Sequence, residues 1–395
     1  MCGIAGFINL DGQPASLPLL KKATDEIIHR GPDGEGHWIE GNIGLGHRRL
    51  SIIDLSPAGQ QPMISSDNRY VLSYNGEVYN YRELRAALKS EGFRFHGQSD
   101  SEVVLCALSF WGKEALLKFN GMFALALWDR QEKRLLLARD RYGIKPLYYS
   151  KQNNVFSFGS EQKAILANSE FVRSINHAAL LEYFTFQNIF TDQTLVNDIF
   201  MLPAGHFIDI DINDSSNIKI KPTQYWDYHF KEPEITTEKR EYQEELDRLF
   251  QQAVNRQLVS DVELGSYLSG GMDSGAITAV AAKSFPYLKT FTCGFDLSTA
   301  SGIELSFDER HEELNWNFHS NLLKQVSNNI LKKQKFDKQR FDQEVQAFVG
   351  YGIGFQIISQ PIQFILKEIL IKNKDLDNFG AKLLAKHFVV FLFFF

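Results

Sequence analysis

The chain has 395 residues, 44% of them hydrophobic and 23% charged, which excludes a wholly disordered protein and leaves room for two or three domains. Lys and Arg number 42 against 48 Asp and Glu, and the net charge of −6 argues against a general nucleic-acid binder. Three cysteines, Cys2, Cys106 and Cys293, cannot build a disulfide framework and lack zinc-ligand spacing, so a reducing cytoplasm is expected.

The first 160 or so residues read as short strands with a few helices. Residues 4–10 are apolar and short. Residues 17–29 have helical spacing through Leu19, Leu20, Ile27 and Ile28. Residues 70–74 alternate like a strand and run into Asn75-Gly76, a turn dipeptide. Residues 81–90 predict a helix stopped by Gly92. Residues 122–128 and 134–139 pattern as a hairpin around 129–132, and 148–149 with 155–158 repeat the device around Asn153-Asn154. Without regular βαβ alternation, this is a layered α+β domain.

From 209 to 240 Asp, Asn, Ser, Lys, Pro and Glu dominate, and the stretch reads as a connector. A long amphipathic helix is expected over 241–260, with Leu246, Leu249, Phe250, Ala253, Val254 and Leu258 on one side. An apolar strand at 264–268, a glycine-rich turn, a small-residue helix at 275–282 and a strand at 288–295 follow. That order opens a parallel α/β domain.

Cys2 stands directly after Met1. Removal of Met1 would put a thiol and a free α-amine on one residue, a nucleophile with its own base near neutral pH. Other segments supply partners. Arg30 and the Arg48-Arg49 pair lie beside turns, and a guanidinium can grip an α-carboxylate bidentately. The Asn75 side chain and the Gly76 N–H could meet an oxyanion, and Glu77 and Asp100 could hold an ammonium. Taken singly, each of these is more often a solvated charge or a turn former.

Together they resemble class II glutamine amidotransferases over about residues 2–208. The likeness rests on Met1-Cys2-Gly3-Ile4-Ala5-Gly6, His29-Arg30-Gly31-Pro32-Asp33, 49–54, Asn75-Gly76-Glu77, Gly121-Met122-Phe123-Ala124, 139–149 and Phe158-Gly159-Ser160-Glu161. The resemblance implies a four-layer αββα sandwich of the N-terminal-nucleophile type. It implies that Cys2 attacks the glutamine amide and that Asn75 and Gly76 form the oxyanion hole. It further implies that glutamine is bound by Arg49, Leu50, Ser51, Ile52, Ile53, Asn75, Gly76, Glu77 and Asp100.

Ser269-Gly270-Gly271-Met272-Asp273-Ser274 lies between a strand and a helix, where glycines let backbone N–H groups approach phosphate. It lacks the Lys of the common phosphate loop. Leu268 through Ser274 resembles the loop of ATP pyrophosphatases, and an amidotransferase followed by this loop resembles glutamine-dependent asparagine synthetases. That likeness implies ATP and Mg2+ as cofactors, with Leu268, Ser269, Gly270, Gly271, Asp273, Ser274 and Cys293 around the nucleotide. It implies that ammonia from glutamine amidates an ATP-activated aspartate, with glutamine, aspartate and ATP as the partners and a homodimer left open. An amidotransferase acting on another carboxylate, such as a sugar acid, and a glutaminase-only remnant are the alternatives.

The expected domains are therefore 2–208 (glutaminase), 209–240 (linker), 241–310 (an incomplete α/β pyrophosphatase domain) and 311–395 (a divergent tail of unassigned fold). Beyond 310 the chain is rich in Lys, Asn, Gln, Ile and Phe, and the family's second glycine-rich acidic segment is missing, as a truncation or shift of reading frame would leave it. The apolar run at 348–371 is interrupted by Gln356, Gln360, Pro361, Gln363, Lys367 and Glu368, so no membrane span is expected.

Overall fold

The computed structural model describes residues 1–213, 220–230, 238–285 and 287–292. Met1–Glu263 forms one unit and a second opens at Leu264.

Along the first unit come β1 (Gly3–Asn9), α1 (Leu17–Asp25), β2 (Gly34–Glu40), β3 (Ile43–Arg49), β4 (Met63–Ile64) and β5 (Tyr70–Val78). Next are α2 (Tyr81–Ser90), α3 (Asp100–Trp111), α4 (Ala115–Lys118), β6 (Gly121–Asp129) and β7 (Arg134–Arg139). Then follow β8 (Tyr148–Gln152), β9 (Val155–Gly159), α5 (Gln162–Leu166), α6 (His177–Phe186), β10 (Ile199–Met201), β11 (His206–Asp211), β12 (Thr223–Gln224) and α7 (Lys239–Gln257).

The strands make two six-stranded sheets, ordered β10-β8-β9-β1-β3-β2 and β12-β11-β7-β6-β5-β4. Alternation decides which face is which. From the first sheet Ile4, Ile8, Ile43, Leu45, Phe156 and Phe158 pack against Val71, Ala124, Ala126, Trp128, Leu135 and Leu137 of the second. The other face of the second sheet, through Leu72, Tyr74, Phe123 and Leu125, packs on α2 and α3 through Leu84, Leu88, Val104 and Leu108. The outer face of the first sheet meets α1 and the α5 region through Ala5, Ala23, Ile27, Ala164 and Ala167. The order is helix, sheet, sheet, helix: the expected αββα sandwich.

Three expectations need correction. Asn75-Gly76 does not turn. β5 continues through both residues to Val78, pairing Asn75 with Ala124 and Gly76 with Phe123. Gly76 is required there by close approach, since a Cβ would stand 2.4 Å from the Met122 carbonyl oxygen. The expected helix at 17–29 ends at Asp25, and a short 3-10 turn follows at Ile28–Arg30. The expected linker at 209–240 begins inside β11, which pairs with β7 through Asp211, and β12 then pairs with β11.

α7 begins two residues before the expected start and stops at Gln257, with Val254 as its buried residue while Leu246 and Leu249 are exposed. In the second unit β13 (Gly265–Tyr267) and β14 (Lys289–Phe291) are parallel, with α8 (Met272–Ser284) between them in the chain, the opening of a parallel α/β domain as expected. Among the described residues no helix is long and apolar enough to cross a membrane. The tail at 311–395 lies outside the described residues.

Candidate active site

A cleft in the first unit is lined by Cys2, Arg49, Leu50, Ile52, Ile53, Asn75, Gly76, Glu77 and Asp100, so all but one of the expected glutaminase residues meet in one place. The exception is Ser51, whose N–H donates to the Asp33 carboxylate at 2.8 Å. Sheet register explains the convergence. β1 pairs with β3 so that Gly3 faces Arg48, which brings Cys2 alongside the end of β3 and the loop that leaves it.

Cys2 Sγ accepts a hydrogen bond from the Leu50 N–H at 3.3 Å. Burial pushes the thiol above its ordinary value, and the Leu50 bond opposes this. The Cys2 carbonyl accepts from Arg30 Nε at 3.0 Å, and Arg30 Nη1 pairs with Glu161 at 3.0 Å. His29 and Lys163 converge on the same Glu161 at 2.8 and 3.2 Å. The chain's α-amine belongs to Met1, which also lines the cleft, and burial holds it below its ordinary value.

Arg49 leaves β3 and donates to the carbonyls of Asp54 and, at 3.0 Å, Ser56. Two of its five N–H groups thus shape the 50–56 loop, and among the described residues the other three have no hydrogen-bond partner. Asp54 stands at φ 58°, a backbone conformation uncommon for a non-glycine residue. Its carboxylate accepts from the N–H of Ser56 at 3.1 Å and of Gln98 at 2.7 Å.

Asn75 is buried on β5, and its Nδ2 has no hydrogen-bond partner among the described residues. A buried amide donor left free at a cleft wall suits a charge that appears only during reaction. Asp100 opens α3, where the helix N-terminus favours a carboxylate. It accepts from Tyr74 Oη at 2.9 Å and from the Val78 N–H at 3.0 Å. Burial nevertheless pushes both the Asp100 and Glu77 carboxyls upward.

Sequence reasoning missed several wall residues. Gly59 lies under Arg49, and a Cβ there would stand 2.2 Å from Nη2. Gln61 accepts from the Tyr74 N–H at 2.6 Å and donates to Ser101 at 3.3 Å. Lys145 is buried, and burial lowers its ammonium's pKa against the opposing charges of Glu77 and Cys2. It is presented by a loop whose N–H groups at Tyr142, Ile144 and Lys145 donate to the Asp140 carboxylate at 2.9–3.0 Å, and that carboxylate also accepts from the Phe123 N–H of β6 at 3.1 Å. The signal was present in the 139–149 string, but a lysine inside a motif does not say which way it faces.

In the second unit Ser274 Oγ donates to the Gly271 carbonyl at 3.1 Å and accepts from the Ser269 N–H at 3.2 Å, closing the loop. Gly270 turns through φ 75°, where glycine carries no steric penalty. Leu268 is tied to β14 by its N–H to the Phe291 carbonyl at 2.9 Å. Cys293 lies outside the described residues. Asp273 is the loop's one carboxylate, and among the described residues no group of three or more His, Cys, Asp or Glu could hold a metal ion.

Residues 1–226 match the family described as glutamine amidotransferase domain. The chain belongs to that family. Residues 245–321 match a second family, asparagine synthase. The chain is 37% identical over 309 residues to asparagine synthetase [glutamine-hydrolyzing] 1 of Bacillus subtilis, covering 78% of this chain and 48% of the relative. It is 37% identical over 290 residues to asparagine synthetase [glutamine-hydrolyzing] 3 of the same organism, covering 72% and 46%. The chain thus spans about half the length of these curated relatives. Among solved structures, glutamine phosphoribosylpyrophosphate amidotransferase from B. subtilis is 18% identical with a TM-score of 0.42, over 56% of this chain and 49% of that one.

Proposed function

We propose that this chain hydrolyses glutamine to glutamate and ammonia at Cys2, and that the ammonia serves to amidate an ATP-activated aspartate. The observation that carries the first step is the meeting of a thiol, a guanidinium, an unpartnered buried amide donor and two carboxylates in one cleft. Family membership supports it, and the two synthetase relatives support the second step.

The roles follow from charge. Arg49 holds the glutamine α-carboxylate, while Glu77 and Asp100 hold the α-ammonium. Burial keeps the Cys2 thiol protonated at neutral pH, so the nucleophile needs a base. Once Met1 is removed, the Cys2 α-amine takes the thiol proton and Sγ attacks the side-chain amide carbon. The Asn75 amide and the Gly76 N–H stabilise the oxyanion. The amine returns its proton to the leaving nitrogen, ammonia departs, and water hydrolyses the thioester to glutamate. Leu268, Ser269, Gly270, Gly271, Asp273, Ser274 and Cys293 are assigned to ATP, whose pyrophosphate leaves when the acceptor carboxylate is adenylated. Asp273 is the residue available to a phosphate-bound Mg2+, an assignment that rests on the synthetase resemblance.

The test supplies the purified chain with glutamine alone, and then with ATP, Mg2+ and aspartate plus glutamine or ammonium. Glutamate release supports the first half and asparagine with pyrophosphate the second. Absence of glutamate would overturn the reading. Glutamate without asparagine would confine the activity to the first unit.

A further inference from the structure

The 50–56 loop forms one wall of the cleft but belongs to neither sheet, so its shape depends on bonds to residues outside it. Two of those bonds come from one distant residue. The Asp261 N–H donates to the Ile52 carbonyl at 3.0 Å, and the Asp261 carboxylate accepts from the Asp54 N–H at 2.7 Å. The pair brackets Ile53, a residue of the cleft wall, from a position 207 residues beyond Asp54.

Asp261 is itself held. The Ser260 hydroxyl accepts from the Val262 N–H at 3.1 Å, fixing the turn that carries it. Val259, two residues earlier, packs against the core shared by the second sheet and its helices. Asp54, on the receiving side, is the loop residue with positive φ, and its carbonyl accepts from Arg49. A displacement of Asp54 would therefore reach the Arg49 guanidinium directly.

We propose that Asp261 is a positioning residue for glutamine: it sets the 50–56 loop, and through Asp54 the Arg49 guanidinium, in the form that receives the substrate. The inference rests on the glutaminase reading above. It also means that the glutamine site extends beyond residues 1–226, the part that matches the glutamine amidotransferase domain family. Asp261 stands four residues before β13, so the segment that steadies the glutamine loop also leads into the second unit.

The experiment compares the full chain with Asp261→Ala and Asp261→Asn, measuring glutamate release across glutamine concentrations and amide hydrogen exchange in residues 50–56. Asp261→Ala should raise the KM for glutamine about five- to tenfold, the scale of one lost hydrogen bond, and leave kcat within about twofold. Asp261→Asn keeps an oxygen that accepts from the Asp54 N–H and should recover most of the loss. The Asp54 amide should exchange faster in Asp261→Ala than in the parent, a readout independent of activity. An unchanged KM with unchanged exchange would overturn the proposal, as would an Asp261→Asn variant as impaired as Asp261→Ala. If the parent chain releases no glutamate the glutaminase reading fails, while the exchange comparison still decides whether Asp261 holds the loop. Should Asp261→Ala fail to fold, Asp261→Ser, whose hydroxyl is too short to replace the carboxylate at the Asp54 N–H, carries the same two expectations, a raised KM and faster Asp54 exchange, and parental values for both would overturn the proposal.

Discussion

Arg30 Nε donates to the carbonyl oxygen of Cys2 at 3.0 Å, which ties the nucleophile's own backbone to a charged network rather than to a sheet neighbour. Glu161 anchors that network through Arg30, His29 and Lys163. Burial works against the Glu161 carboxylate, but the hydrogen bonds from these three residues hold its pKa below the ordinary value. Glu161→Gln should slow glutamate release about three- to tenfold, mainly in kcat, because a neutral amide holds Arg30 less firmly. Steady-state kinetics check this, and an unaffected kcat would mean that Arg30 needs no anchor.

Arg49→Lys keeps the charge but loses the planar fork that bonds the Asp54 and Ser56 carbonyls and faces the cleft. Glutamine binding should weaken by about 1–3 kcal/mol, the scale of a charge-assisted hydrogen bond. Half-saturation for glutamine, measured by glutamate release, gives the answer, and an unchanged value would put Arg49 outside the site.

Gly59→Ala would set a Cβ 2.2 Å from Arg49 Nη2. The clash falls on the far end of a flexible side chain, so the guanidinium moves before the backbone does. Overpacking of this kind costs about 1–3 kcal/mol where nothing can give. Here the expected stability loss lies at the low end of that range, while the KM for glutamine rises more than tenfold. Thermal unfolding and kinetics on the same preparation separate the two effects.

His47 points into the space between the sheets, fully buried, with Nε2 donating to the Tyr74 carbonyl at 3.0 Å. Burial lowers its pKa from 6.5 to about 4. The unfolded chain therefore binds a proton as pH falls below about 6.5, whereas the fold resists until about 4. Stability is fully present above pH 6.5 and declines through that window by about 3 kcal/mol. Denaturant unfolding of the parent and His47→Gln between pH 7 and 4 should show a flatter profile for the variant. Parallel profiles would show that His47 is not the acid-sensitive group.

Much of this was legible in the sequence where local chemistry and tertiary outcome agree. Asn153 and Asn154 marked the β8–β9 hairpin, and both residues adopt positive φ. Gly92 ended α2 at φ 93°. Asn75-Gly76 misled because a turn dipeptide also serves a strand whose neighbour approaches too closely for a Cβ; the deciding partner, Phe123, is remote in sequence. α3 was overlooked although Ser99 and Glu102 spell a capping signal, with the Glu102 N–H donating to Ser99 Oγ at 3.4 Å. Gly59, Gln61 and Asp261 could not be read as neighbours of the cleft for the same reason: the other half of each contact lies elsewhere in the chain.

The most direct measurement is glutamate release by the purified chain and by Cys2→Ala, with the N-terminus of each defined by mass spectrometry. The active parent should carry Cys2 as its first residue and turn over glutamine, and Cys2→Ala should release none above background, since among the described residues lining the cleft no other supplies a thiol. Glutamate release by Cys2→Ala at the parent rate, or full activity with Met1 still attached, would contradict a Cys2 nucleophile served by its own amine.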